Sequence, residues 1–316
     1  MRRLLLAAVL WLYCVAAWAY EPGRASFQVE LADKGLINPY RVLALFALPG
    51  ERLNLSLSGD AKRDDFRVAA AGGAMTAHGR NGWRWRAPAK AGLYPLAISH
   101  AASGETMTFN VFVMVPRKQV KDGMLNGYAI GSYPAKPKDD LPIYLPPAGF
   151  VEVTAANADT PVAPHLTLGQ FLCKQDGEYP KYLVLQERLL LKLELLLEAI
   201  NARGYGAERL EVMSGYRTPH YNKLLGNATF SYHLYGGAAD IYIDADGDQR
   251  MDDLNGDGVV DEADGDVLYD LIEEVSAQAG LLPFVGGLGR YRANRYHGPF
   301  VHVDVRGHVV RWGRER

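Results

Sequence analysis

The sequence predicts an α+β protein in two parts. A β-sandwich spans about 25–116, and from about 164 onward helices flank a small, mainly antiparallel sheet. Three observations predict this. Short alternating apolar runs separated by turn residues fill the first third of the chain. A leucine-rich segment follows Pro180 and stops at Gly204, the punctuation of a long helix. Beyond it, short β-branched runs alternate with loops and a second helical segment.

At the N-terminus, Arg2 and Arg3 precede an apolar run from Leu4 to Ala17, and Ala17-Trp18-Ala19 offers the small-x-small pattern of signal cleavage. The run is short for a membrane span, and Leu12-Tyr13 ahead of Cys14 makes a poor lipobox. Residues 1–19 are therefore expected to be a signal peptide. The mature chain is expected to begin near Tyr20, to be secreted into the periplasm, and to have no stable membrane insertion. Cys173 is then the only remaining cysteine, so no internal disulfide is expected, and it reads as a small buried apolar residue. With 48% hydrophobic and 22% charged residues the chain reads as globular. A net charge of -2 gives no reason to expect nucleic acid as a partner.

Leu53, Leu55 and Leu57 alternate with polar residues, and Phe109 to Val115 is a β-branched run; both read as strands. Trp83 and Trp85 share one strand face and read as packing residues, with carbohydrate contact as the alternative. Strands at this spacing suggest a sandwich, which resembles the Ig-like accessory modules of exported bacterial proteins. It carries no cluster of acids, histidines or cysteines and is assigned no chemistry. Residues 117–163 are rich in Pro and Gly and read as a linker with partly ordered strands at Tyr128–Ile130 and Phe150–Val153. The leucine-rich helix is expected over Lys181–Arg203, apolar nearly all round and therefore central. A second helix is expected over Asp266–Ala279. Strands are expected at Leu210–Met213, Ala239–Ile243, Val301–Val305 and Val309–Trp312.

Gly236 and Gly237 allow a tight path from His233 into the strand that carries Asp240. There Ile241 and Ile243 point one way and Asp240 the other. In Phe300–Val305 the three valines share one face, while His302 and Asp304 share the opposite one. Neighbouring strands would bring His233, Asp240 and His302 around one point. Two imidazoles and a carboxylate are a catalytic zinc set that leaves a position for water. Spacing alone also admits structural histidines.

Three blocks occur in order: Ser214-Gly215-Tyr216-Arg217-Thr218-Pro219, then Ser231-x-His233 through Asp240, then Val301-His302-Val303-Asp304. Together they resemble the zinc D-alanyl-D-alanine peptidases, carboxypeptidases and murein endopeptidases in a clan shared with lysostaphin-type enzymes and the hedgehog domain. The resemblance covers roughly Pro164 to Trp312 and implies a peptidase domain over 164–316 that acts on peptidoglycan peptides. It places the zinc ligands on His233, Asp240 and His302. It also implies that Arg217 holds substrate, with Tyr216 and Ser231 beside it. Where several branches carry an acid or a second histidine before the last ligand, Pro299 and Phe300 stand here. The branch ending in His-x-Asp fits better, so Asp304 and His297 are the candidates for activating water, Asp304 having the orienting of a ligand histidine as its alternative role.

A second metal signal lies in an insert at 244–264. Asp253, Asn255, Asp257, Val259, Asp261 and Asp264 place oxygen donors at calcium-loop spacing, with Gly258 at the sharp turn. Asp244, Asp246, Asp248 and Asp252 form a partial second loop lacking that glycine. Two functions compete: a zinc peptidase, and a non-catalytic cell-wall or calcium-dependent binding protein that keeps a structural zinc site. Neither specifies an oligomeric state.

Overall fold

Alternating side chains build the first half of the chain into two sheets. The computed structural model describes residues 20–278 and 280–314, so the expected signal peptide lies outside the described residues. One sheet is antiparallel and five-stranded, in the order Leu36–Tyr40, Arg24–Leu31, Arg52–Leu57, Gly82–Arg86, Ala74–His78. The other is four-stranded, in the order Val42–Ala47, Thr106–Val113, Gly92–His100, Phe66–Ala70, and its first pair is parallel. Leu53, Leu55, Leu57, Phe109, Val111 and Val113 are all buried. Trp83 and Trp85 are buried with them, and the Trp85 indole donates to Gly72 O at 2.8 Å. Neither is available to a carbohydrate.

The segment expected to be a linker is packed chain. Gly149–Val153 pairs with Val115–Pro116 on one side and with Lys181–Leu183 on the other. Tyr144, Phe150, Val151 and Val153 are buried. That pairing also corrects the start of the long helix. Lys181, Tyr182 and Leu183 are drawn into the sheet, and helix α1 begins later, at Glu187–Asn201.

Helix α1 is central, as its leucines require. Leu189, Leu190, Leu193, Leu196 and Ile200 are buried, and the helix packs against both the Val42–Ala47 strand and the second long helix. Its polar residues connect the two halves. Glu187 accepts the Phe46 N–H at 3.1 Å and pairs with Lys34, while Glu198 pairs with Arg24 at 2.8 Å.

The second half contains a five-stranded sheet in the order Leu210–Ser214, Ala238–Ile243, Phe300–Asp304, Gly287–Tyr291, Val310–Trp312. Its last pair is parallel and the others are antiparallel. Short helix α2 (Pro219–Leu224) is capped by the Thr218 hydroxyl, which accepts the Tyr221 N–H at 3.0 Å. Helix α3 (Glu262–Ser276) starts earlier than expected because Asp261 and Asp264 form a capping box at its N-terminus. The strand Gly287–Tyr291 was not expected. It lies between the two strands that correspond to those expected at Val301–Val305 and Val309–Trp312. Among the described residues no helix is long and apolar enough to cross a membrane.

Candidate metal centre

One line of registered residues crosses the whole C-terminal sheet. Ser214 pairs with Asp240, Asp240 with His302, His302 with Gly289, and Gly289 with Trp312. Side chains of directly opposed residues share a face, so Asp240 and His302 project together. His233 reaches the same point from the turn Tyr232–Tyr235, which ends at Gly236 with φ +67. A Cβ on Gly236 would overlap the backbone of Val184, so the glycine is required for both torsion and space.

His233 Nε2 lies 3.1 Å from His302 Nδ1 and 3.2 Å from Asp240 Oδ1, and His302 Nδ1 lies 2.9 Å from that same oxygen. The three residues are only 2%, 1% and 4% exposed for His233, Asp240 and His302 respectively, so solvent does not satisfy them. Each ring is fixed from behind. His233 Nδ1 is 2.6 Å from Gly215 O and must donate there, which leaves Nε2 as a lone pair. His302 Nε2 faces Asp304 Oδ2 at 3.1 Å, which turns Nδ1 inward. Burial pushes the His233 pKa down, toward the neutral ring that a metal needs. Burial also opposes ionisation of Asp240, but His233 and His302 hold its carboxyl well below the usual range. Zinc bonds of about 2.0–2.2 Å in a tetrahedral set place donor atoms roughly 3.4 Å apart. The observed spacings of 2.9 to 3.2 Å, with two nitrogens and one oxygen turned inward, fit that ion.

Asp304 stands behind this centre. It is fully buried, and its Oδ1 accepts the Gly287 N–H at 2.7 Å and the Arg306 N–H at 3.1 Å. Arg306 closes on it with Nε at 2.8 Å from Oδ2 and with Nη2. Burial opposes ionisation, yet hydrogen bonds from His302 and Arg306 hold the carboxyl well below its ordinary pKa. A carboxylate so fully engaged is a weak base. Of the two roles read from sequence for Asp304, these contacts favour the orienting one. Beneath it, the Lys192 ammonium donates to Asp304 O at 2.8 Å, and burial pushes its pKa down to about 8.

Arg217 does reach the centre, but through a ligand residue. Its Nη2 donates to Asp240 Oδ2 at 2.5 Å and its Nε to Ser214 Oγ at 3.0 Å, which leaves Nη1 unused by either bond. Tyr216 is not a substrate contact. It is 1% exposed and its hydroxyl meets that of Tyr133 at 3.0 Å in the core. Ser231 heads the turn before His233 and makes no side-chain cap bond there. His297 lies in the loop before Phe300: its ring nitrogens contact Asn294 Nδ2 at 2.7 Å and Gly298 O at 2.8 Å, its ring is 4.9 Å from that of Phe300, and it is not part of the His233–Asp240–His302 cluster.

In the acidic insert, Asp244, Asp246 and Asp248 each bring one carboxylate oxygen within 4.8 Å of the others. Both loops are wound on their own N–H groups. Asp244 accepts from Gly247, Asp248 and Gln249, and Asp253 accepts from Gly256, Asp257 and Gly258. Gln249 takes φ +67 where Gly258 takes +87, so the first loop forms its sharp turn without the glycine. Asp252 accepts the Ala245 N–H at 2.9 Å. Asn255 and Asp257 each accept an N–H two residues further on. Asp264 is buried with both oxygens on backbone N–H groups of Leu254, Asn255 and Asp261, so it caps α3. With Val259 and Asp261 these residues have the expected spacing, and the geometry adds no support for calcium beyond it.

Two residues near the centre escaped the sequence reading. The Trp312 ring lies 5.0 Å from that of His302, over Gly289, where a Cβ would overlap the indole. Arg306 lies between the rings of Tyr232 and Trp312, 5.8 Å from each centroid. Continuing the alternation His302, Asp304 by one step would have found Arg306. Trp312 depended on a parallel pairing that no local pattern announces.

Residues 164–254 match the family model described as Peptidase M15. The match takes in α1, Arg217, His233 and Asp240 and ends before His302. It supports a metallopeptidase of the M15 type, a family that depends on zinc, and the His-Asp-His cluster accords with it. No curated protein matches the chain.

Proposed function

We propose that the chain is a zinc peptidase that hydrolyses a peptide bond of peptidoglycan stem peptides, as a D,D-carboxypeptidase or murein endopeptidase of the periplasm. The observation that carries this reading is the convergence of His233 Nε2, Asp240 Oδ1 and His302 Nδ1 in a site closed to solvent on the ligand side. These three atoms would hold the ion, and Gly215 O and Asp304 fix the two rings so that the lone pairs face it. When bound, zinc supplies Lewis acidity, which polarises a scissile carbonyl and acidifies water.

The remaining work belongs to the chain's own groups. Arg217 Nη2 neutralises the outer oxygen of Asp240, and Nη1 is left to hold a carbonyl or carboxylate of the stem peptide. Gly287 and Gly289 leave room for the Asp304 carboxylate and the Trp312 indole to pack beside His302. Arg306 holds Asp304 ionised, so His302 keeps its tautomer through turnover.

A second reading is a binding protein with a structural zinc. Pro299 and Phe300 stand where a water-activating group would precede the last ligand, and Asp304 is engaged elsewhere. Digestion of purified muropeptides by zinc-loaded protein, followed by mass spectrometry, separates the two. Loss of D-alanine identifies a carboxypeptidase, and conversion of cross-linked dimers to monomers an endopeptidase. Intact muropeptides would leave the binding reading.

A further inference from the structure

The strand Gly287–Tyr291 offers three positions to the metal-site face, since alternate residues share a face and Gly289 stands opposite His302. Two of them, Gly287 and Gly289, have no side chain. Tyr291 is the third, and two contacts hold it in place. Its ring stacks on Phe300 with centroids 4.6 Å apart and planes 8° from parallel. Its hydroxyl accepts the Trp312 indole N–H at 3.1 Å, and the Trp312 ring is itself 5.0 Å from the His302 ring. Tyr291 is 39% exposed, so part of it is open to solvent on the sheet face that carries His302.

The direction of that hydrogen bond matters. An indole N–H can only donate, so the phenol oxygen is the acceptor and its own proton is left over. Among the described residues no acceptor takes that proton. The scaffold thus holds one neutral O–H donor beside the metal centre, fixed by a stacked ring on one side and an indole on the other.

On the peptidase reading given above, we propose that Tyr291 donates its phenolic hydrogen bond to the scissile carbonyl oxygen of the bound peptide, with Trp312 as the positioning residue that aims it. When water adds to the carbonyl carbon, the C=O π pair moves onto the oxygen and negative charge collects there. A donor already oriented toward that oxygen binds it more tightly in the transition state than in the ground state. Burial holds the phenol above its ordinary pKa, against a hydrogen bond from Trp312 that pulls the other way, so the proton is present across the neutral range.

The decisive variant is Tyr291→Phe, which removes one oxygen and keeps the stack on Phe300. Muropeptide turnover should fall about 100-fold in kcat with KM within about twofold, the size seen when one oxyanion donor is removed. Affinity for a phosphinate pseudodipeptide, measured by calorimetry as a tetrahedral oxyanion mimic, should fall at least about tenfold. Zinc content and melting temperature should not change, and the Trp312 indole N–H resonance should shift because it loses its acceptor. Trp312→Phe keeps a ring beside His302 without the N–H, and should lower kcat and phosphinate affinity by smaller factors at unchanged KM. An active wild type with Tyr291→Phe equal to it in kcat and phosphinate affinity would overturn this assignment alone. If Tyr291→Phe fails to fold, Trp312→Phe decides, and unchanged kcat there overturns it. A wild type that neither cleaves muropeptides nor binds the phosphinate overturns the peptidase reading, and the role of Tyr291 with it.

Discussion

Asp304→Asn separates the two roles a carboxylate beside a metal centre can have. The native side chain accepts from Gly287 N, Arg306 N, the Arg306 guanidinium and His302 Nε2. Asparagine keeps an oxygen for the two backbone donors, but its NH₂ group then faces Arg306 and the His302 Nε2–H, donor against donor. The simplest relief is for His302 to move its proton to Nδ1, the atom that should bind zinc. Loss of such an orienting partner typically costs about 10–100-fold in metal affinity, or roughly 1.4–2.8 kcal/mol. Asp304 is wholly buried, and its partner Arg306 is partly buried, with a side chain 15% exposed. The metal-free protein should therefore also lose about 3 kcal/mol of stability, as when one partner of a buried pair is removed. Chelator competition measures the zinc affinity and urea unfolding of the apo protein the stability. If zinc affinity is unchanged while kcat falls by about 10²–10⁴-fold, Asp304 is the proton acceptor, and the orienting role is wrong.

Other predictions follow from the same contacts. Gly289→Ala drives a methyl group into the Trp312 indole; it should destabilise the protein by about 1–3 kcal/mol and shift tryptophan fluorescence, and an unchanged spectrum would mean Trp312 does not lie over that strand. Leu196→Ala, at a fully buried position of α1, should cost about 2–5 kcal/mol in denaturant unfolding. At His165, burial lowers the pKa, but the hydrogen bond to Glu194 at 2.7 Å, the Glu194 charge, the Glu21 carbonyl and the Glu198 charge together outweigh it and raise the value above normal. Its contribution to stability is therefore complete below the unfolded pKa of about 6.5 and disappears as pH rises through the higher folded value. Urea melts across that window should show the decline in wild type and its absence in His165→Gln; parallel pH profiles would contradict it. The calcium expectation rests on loop spacing alone, and predicts a melting temperature several degrees higher with calcium than with EGTA; equal values would remove it.

What the sequence reveals depends on how local the determining forces are. Alternation was enough to read Leu53–Leu57 and to place His302 and Asp304 on one face, because period-two patterns report burial directly. Lys181–Leu183 was misread as helix since its strand pairing comes from Val151–Val153, about thirty residues earlier. Gly287–Tyr291 gave no signal, because a strand with two glycines on one face has neither β-branched residues nor alternation, yet those glycines are what clear space for Asp304 and Trp312. Asp261 and Asp264 illustrate a genuine overlap: carboxylates at calcium-loop spacing are also those of a helix cap. Arg217 was read as a substrate anchor, and only the three-dimensional contact shows how much of its guanidinium is already bound to Asp240.

The central claim is that His233, Asp240 and His302 together hold a zinc ion. An anomalous difference map from crystals of zinc-loaded protein, with data collected on either side of the zinc edge, tests it most directly. The account predicts one strong peak within bonding distance of His233 Nε2, Asp240 Oδ1 and His302 Nδ1. A map with no peak there, or with zinc only on the acidic loops around Asp246 and Asp257, would contradict it.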